Sequence, residues 1–214
     1  MNESQQFRRL IPQEVLNLVS GLREKAKELT NQYFKNKNSV LPHLDYAKVP
    51  DPFYPGGSIN IAFLSIEEFK RLDLSGQGVA SRKPINGERV VYYRIPMTSY
   101  DTIYHELVHA FDPKFILGLS KPQRSGGFQS MGTPHEVDAY IGGFVDEMQN
   151  RLNVAPPERK KDLLGELRYW LSYINKGDEP EDMPTLLKGM QIYHLRKDPA
   201  IWKKFLSIIY NQIR

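Results

Sequence analysis

An α+β fold is predicted by three features of the chain. β-Prone runs at 59–64, 79–83 and 88–95 lie in the first half, a helix-forming stretch carrying H-E-x-x-H follows at once, and amphipathic helical segments fill the rest. Together they predict a small mixed sheet with an edge strand next to the H-E-x-x-H helix, and a helical C-terminal part. The 214 residues suit one domain over 1–214, with room for a helical lobe over 158–214.

Taken in order, Pro12 opens a segment in which Val15, Leu16, Leu18, Val19, Leu22, Ala26 and Leu29 recur at helical spacing as far as Tyr33-Phe34. Four prolines and Gly56-Gly57 make 35–58 an irregular connection, and His43 within it reads as a surface histidine, with metal ligation as the alternative. Ile59 to Leu64 is β-prone, Ile66 to Leu72 is helical, and Gly76 and Gly78 mark a turn. Val79 to Lys83 and Glu88 to Ile95 pair as a hairpin, because Asn86-Gly87 readily takes the positive φ of a tight turn. The second of these strands leads straight into the H-E-x-x-H helix, and its edge would hold an extended peptide as one more strand.

Thr98 and Asp101 form a capping-box pattern that starts the next helix after Pro96, and Asp112-Pro113 stops it. Residues 120–128 read as a mobile loop over the cleft. Thr133-Pro134-His135-Glu136 then supplies an N-cap, a proline at N1 and a glutamate at N3, followed by a stripe of Val137, Tyr140, Ile141, Phe144, Val145 and Met148. Beyond Pro156-Pro157, helices are expected at 160–175, 184–196 and 199–213, with Trp170 and Trp202 in their core faces.

Composition narrows the classes of function. A hydrophobic share of 40% and a charged share of 25% belong to a soluble globular protein. The net charge of +4 arises from cations spread among 25 acidic residues, which excludes the basic stripe of a nucleic-acid binder. With no cysteine there are no disulfides, and any metal must be held by histidine and carboxylate. The N-terminus lacks an apolar signal region and no run is long enough to span a bilayer, so an intracellular or virion-associated protein is expected. Nothing indicates the oligomeric state.

The chemistry lies in Tyr104-His105-Glu106-Leu107-Val108-His109-Ala110-Phe111-Asp112. At 3.6 residues per turn His105 and His109 stand one above the other, so two imidazole nitrogens reach one metal ion, and Glu106 stands beside them within reach of a water. One Zn2+ per chain is expected. A zinc site that does chemistry takes three protein ligands, which leaves one to find.

Asp112, His135, Glu136 and Asp138 are the candidates. His135 points nearly opposite the apolar stripe, while Glu136 and Asp138 flank it. Glu136 shares its flank with Ala139 and Gly143, small residues that permit close approach of another helix, and this favours Glu136 over Asp138. Against it, Glu136 also stands where a capping-box glutamate would bond the Thr133 backbone. Asp138 or Asp112 would then orient a ligating histidine by accepting from its second nitrogen.

His105-Glu106-Leu107-Val108-His109 with Glu136 downstream at the start of another helix resembles the gluzincin branch of zinc metallopeptidases. H-E-x-x-H-A-x-D resembles the lethal-factor-like members and the small clostridial proline-specific endopeptidases. The likeness covers about 88–145 and implies a zincin-like fold, one zinc, and hydrolysis of a protein or peptide substrate with Glu106 as general base. The chain departs from the metzincins, having Asp112 and Phe115 where they carry glycine and histidine. It also has Gln129 where lethal-factor-like members place a tyrosine.

The expected reaction is peptide hydrolysis by zinc-activated water, with Glu106 taking the proton and passing it to the departing amine. His194, Tyr193, Tyr140 and Arg124 are chemically suited to stabilise the oxyanion, and the sequence does not choose among them. Two rival readings stand beside it: one keeps the zinc and changes the substrate, an amidase acting on peptidoglycan or another non-protein amide; the other is a non-catalytic metal-binding or structural protein with a retired site. An intact Glu106 argues against the second.

Overall fold

A computed structural model of the chain describes residues 11–36, 43–84, 87–97, 100–118, 134–176, 178, 181–183, 187 and 199–212. It is a mixed α+β protein with one four-stranded sheet and several helices. The described residues up to Gly118 belong to one compact unit and those from Pro134 onward to another.

The first unit opens with helix α1 (Gln13–Leu16) and, after a turn at Asn17, helix α2 (Leu18–Lys35). Val19, Leu22, Ala26 and Leu29 are buried as their spacing predicts. Strands β1 (Leu44–Pro50), β2 (Ser58–Ser65), β3 (Gly78–Ala80) and β4 (Glu88–Ile95) form a sheet in the order β1-β2-β4-β3. β1 pairs antiparallel with β2, β2 pairs parallel with β4, and β3 pairs antiparallel with β4. Helix α3 (Ile66–Arg71) leaves β2 through a capping box in which Ser65 accepts from the Glu68 amide.

Two expectations are corrected here. The stretch Leu44–Pro50 is a strand and not an irregular connection: Pro50 is tolerated because it ends an edge strand, where a missing N–H breaks no interior ladder. Strand β4, expected to offer a free edge, is interior, because β2 occupies its other side in parallel register from Ser58–Glu88 to Ser65–Ile95. The free edge beside the helix that carries H-E-x-x-H belongs to β3. Among the described residues no strand pairs with its outer side.

β4 alternates strictly, with Arg89, Val91, Tyr93 and Ile95 buried on one face. Against this unit's sheet packs helix α4 (Asp101–Phe111), followed by the short α5 (Pro113–Ile116). The N-cap of α4 is Tyr100, in helical conformation and without a side-chain cap; Thr98 lies outside the described residues. Asp112 is extended, as the following proline requires, and caps α5 by accepting from the Lys114 amide at 2.9 Å.

Two side chains of β4 fasten α4 at both ends. The Tyr93 hydroxyl donates to the Ile103 carbonyl at 2.8 Å, and Arg89 Nη2 donates to the Ala110 carbonyl, one of the last-turn carbonyls that a helix leaves unsatisfied, at 2.8 Å. Start of strand thus meets end of helix, so α4 runs antiparallel to β4 and in the same direction as β3. Arg89 is itself held by Asp51, Nε to Oδ2 at 2.6 Å and Nη2 to Oδ1 at 3.0 Å, with both side chains essentially fully buried. Phe53 and Tyr54 lie against its guanidinium.

The second unit holds α6 (Pro134–Val154), α7 (Pro157–Lys176) and α8 (Pro199–Gln212). Ile141, Phe144, Val145 and Met148 of α6 are buried as predicted, and Phe144 meets Phe205 of α8. Leu163, Leu167, Trp170 and Ile174 form the buried stripe of α7. Among the described residues no helix is long and apolar enough to cross a membrane.

Candidate metal centre

His105, Glu106 and His109 all lie on α4 and are all buried, with 8%, 8% and 4% of their surface exposed. The i, i+4 spacing brings the two imidazoles together at right angles, and their Nε2 atoms are 3.1 Å apart. Two ligands of a tetrahedral zinc, each about 2.0–2.1 Å from the ion, are about 3.3–3.4 Å apart, so the pair fits one edge of such a site. The same separation also suits a hydrogen bond in which one Nε2–H donates to the other Nε2. The buried carboxylate of Glu106 stands next in sequence to His105.

Glu106 is set by the sheet. A β-carbon built on Gly78 of β3 would lie 2.6 Å from Glu106 Cγ and 2.9 Å from Thr102 Cγ2, so only glycine lets the edge strand come this close. Tyr93 is also within its electrostatic reach: burial first, and then the negative charge of Glu106, hold the Tyr93 phenol well above its ordinary range. The Phe115 ring lies 4.8 Å from the His109 ring, tilted by 31°. Arg82 places its guanidinium 4.6 Å from the centre of that same Phe115 ring.

The other predicted site residues fall as follows. Asp112 is buried and directs one oxygen to Lys114 N, so its described hydrogen bond serves helix capping and not the orientation of a histidine. His43 is an exposed histidine bonded to Asp45 at 2.9 Å, in accord with the surface reading. Among the described residues no third histidine or carboxylate completes a metal-binding group with His105 and His109. The backbone of α6 includes 135–138, but the side chains of His135, Glu136 and Asp138 lie outside the described residues, as do Arg124, Tyr193, His194 and the 120–128 loop. Tyr140 is described and half-buried. On the flank assigned to Glu136, Ala139 and Gly143 are both buried.

Sequence reasoning missed Gly78, Arg82, Arg89 with Asp51, and the carbonyl bond of Tyr93. One of these left a signal: an arginine in phase with Val91, Tyr93 and Ile95 on a buried face requires a buried acid. Gly78, expected in a turn, is instead the first residue of β3. No family model, curated protein or solved structure matches the chain.

Proposed function

We propose that this protein is a zinc metallopeptidase of zincin-like build, with zinc held by His105, His109 and Glu136 and with Glu106 as general base. One observation carries the reading: two imidazole nitrogens converge at 3.1 Å inside a buried site, with a carboxylate next in sequence to one of them. Neutral imidazole and an anionic carboxylate are the donor types that zinc takes in the absence of cysteine. When bound, zinc supplies Lewis acidity, polarising a scissile carbonyl and acidifying water.

The chain's own groups do the rest. Glu106 accepts the proton of the attacking water at a carboxylate oxygen and returns it to the amide nitrogen as that nitrogen leaves. Gly78 lets β3 stand against Glu106 and limits the positions its side chain can adopt. The outer edge of β3 offers backbone N–H and C=O groups to an extended chain, which favours a peptide substrate over other amides.

Elemental analysis of the dialysed protein, combined with a peptide-library digest by wild type and Glu106→Gln, tests the reading. One zinc per chain is expected in both forms, with hydrolysis lost in the variant by at least about a hundredfold, the scale of general-base removal. Absence of bound transition metal after reconstitution would sink it, as would a Glu106→Gln protein that digests at the wild-type rate.

A further inference from the structure

We propose that Arg82 sets the substrate's charge preference by binding an acidic side chain on the N-terminal side of the bond that is cut. This inference rests on the peptidase reading and deepens it.

Arg82 lies two residues beyond the end of β3, and the backbone is fixed there. The Ser81 amide donates to the Val90 carbonyl at 2.9 Å, the Ser81 hydroxyl accepts from the Val90 amide at 2.8 Å, and the Tyr54 hydroxyl donates to the Arg82 carbonyl at 3.4 Å. Its guanidinium packs on Phe115, whose ring also packs on His109. The cation therefore stands no farther from the His109 ring than the 4.6 Å and 4.8 Å spacings laid end to end.

Arg82 is half-buried, yet no carboxylate among the described residues pairs with it. Its neighbour Arg89 shows what this unit does with an internal guanidinium: Asp51 takes it on two nitrogens. Stacking on one aromatic face contributes about 0.5–2 kcal/mol to a cation, between the exposed and the desolvated limit. It leaves the planar fork of donors open to a carboxylate.

Direction follows from the topology. β3 and α4 run the same way, with Gly78 beside Thr102 and Glu106 and with Arg82 beside Phe115 of α5. A peptide added antiparallel to the outer edge of β3, which is the stabler pairing, has its N-terminal part toward Arg82. At about 3.4 Å per residue, a side chain about two to four residues before the cut comes alongside the guanidinium.

The test digests a random peptide library with the zinc-loaded full chain, reads cut sites by mass spectrometry, and repeats this with Arg82→Lys and Arg82→Glu. Wild type is expected to enrich Asp or Glu ahead of the cut, and Arg82→Lys to keep that preference in weakened form. Arg82→Glu is expected to lose about tenfold or more in kcat/KM on an acidic peptide, through KM, and to gain on its lysine counterpart, because a charge-assisted hydrogen bond is replaced by repulsion. Zinc content should not change, and fluorescence anisotropy with Glu106→Gln as a non-cleaving host should show the same charge selectivity in binding. Cleavage without charge preference, or an acidic preference that survives Arg82→Glu, overturns the inference and leaves the peptidase reading standing. Cleavage of nothing by the zinc-loaded wild type sinks both.

Discussion

Gly78 of the edge strand lies directly against Glu106, so closely that a β-carbon at 78 would stand 2.6 Å from Glu106 Cγ. Thr102 closes the same space at 2.9 Å. A methyl group at 78 requires the Glu106 and Thr102 side chains, or the backbone that carries them, to shift.

Gly78→Ala is therefore expected to move Glu106, lowering peptide hydrolysis by about tenfold or more while zinc content stays at one per chain, since small displacements of a catalytic group carry penalties of this size. Overpacking should also reduce stability by about 1–3 kcal/mol. Parallel measurement of kcat, bound zinc and urea midpoint separates the two effects. Wild-type turnover in this variant would show that Glu106 is not the base.

A second prediction concerns the clamp on the end of α4. Asp51→Ala leaves Arg89 buried without its acid, and unfolding in urea should show a loss of about 3–5 kcal/mol, the scale for breaking a buried pair from one side. Replacing both members, Asp51→Leu with Arg89→Met, should lose less than the single change, because no uncompensated charge is then buried. A double variant weaker than Asp51→Ala would mean that the Arg89 bond to the Ala110 carbonyl, and not the ion pair, dominates.

The legibility of this chain divides along physical lines. Local signals served well: the apolar period of Val19, Leu22, Ala26 and Leu29, the alternation of β4, and the proline after Asp112 each depend on neighbours in sequence. β1 was hidden because the prolines in and around it suggest a loop, and the tolerance of Pro50 depends on a place at the sheet edge that only the pairing with β2 creates. The interior position of β4 was hidden for the same reason, since a hairpin identifies one partner and the parallel partner lies far upstream. In the site, the helical period alone was enough to place His105 and His109 together. The approach of Gly78 to Glu106 and the stacking of Arg82 on Phe115 arise from tertiary packing that no spacing rule contains.

A third prediction follows from Tyr93, which is fully buried and donates to the Ile103 carbonyl. Its folded-state pKa is raised, by burial and then by Glu106, above its ordinary value of 10.0. The contribution to stability is accordingly complete below the unfolded value and is lost as pH rises from there toward the folded value, because the unfolded chain releases the proton first. Above pH 10 the wild type should lose about 1.4 kcal/mol per pH unit more than Tyr93→Phe. At pH 8 the variant should be the weaker by about 1 kcal/mol, for the missing hydrogen bond. Urea unfolding of both proteins at pH 8, 10 and 11 reads this directly, and a constant difference across the series refutes it.

The last prediction decides the third ligand. Glu136→Ala should lower zinc affinity by more than about a hundredfold, beyond the 10–100-fold typical when only an outer hydrogen-bond partner of a ligand is lost, and should abolish most of the rise in Tm that zinc confers by mass action. Asp138→Ala should leave both nearly unchanged. If Glu136 serves only its helix N-terminus, the loss is about 1 kcal/mol of stability, equal in the apo and zinc-loaded forms, because a cap acts whether or not metal is present. Comparing apo and zinc-loaded melting for both variants keeps these outcomes apart. Should Asp138→Ala lose zinc while Glu136→Ala keeps it, the ligand set becomes His105, His109 and Asp138, and the likeness to gluzincins fails at the one residue that distinguishes that branch.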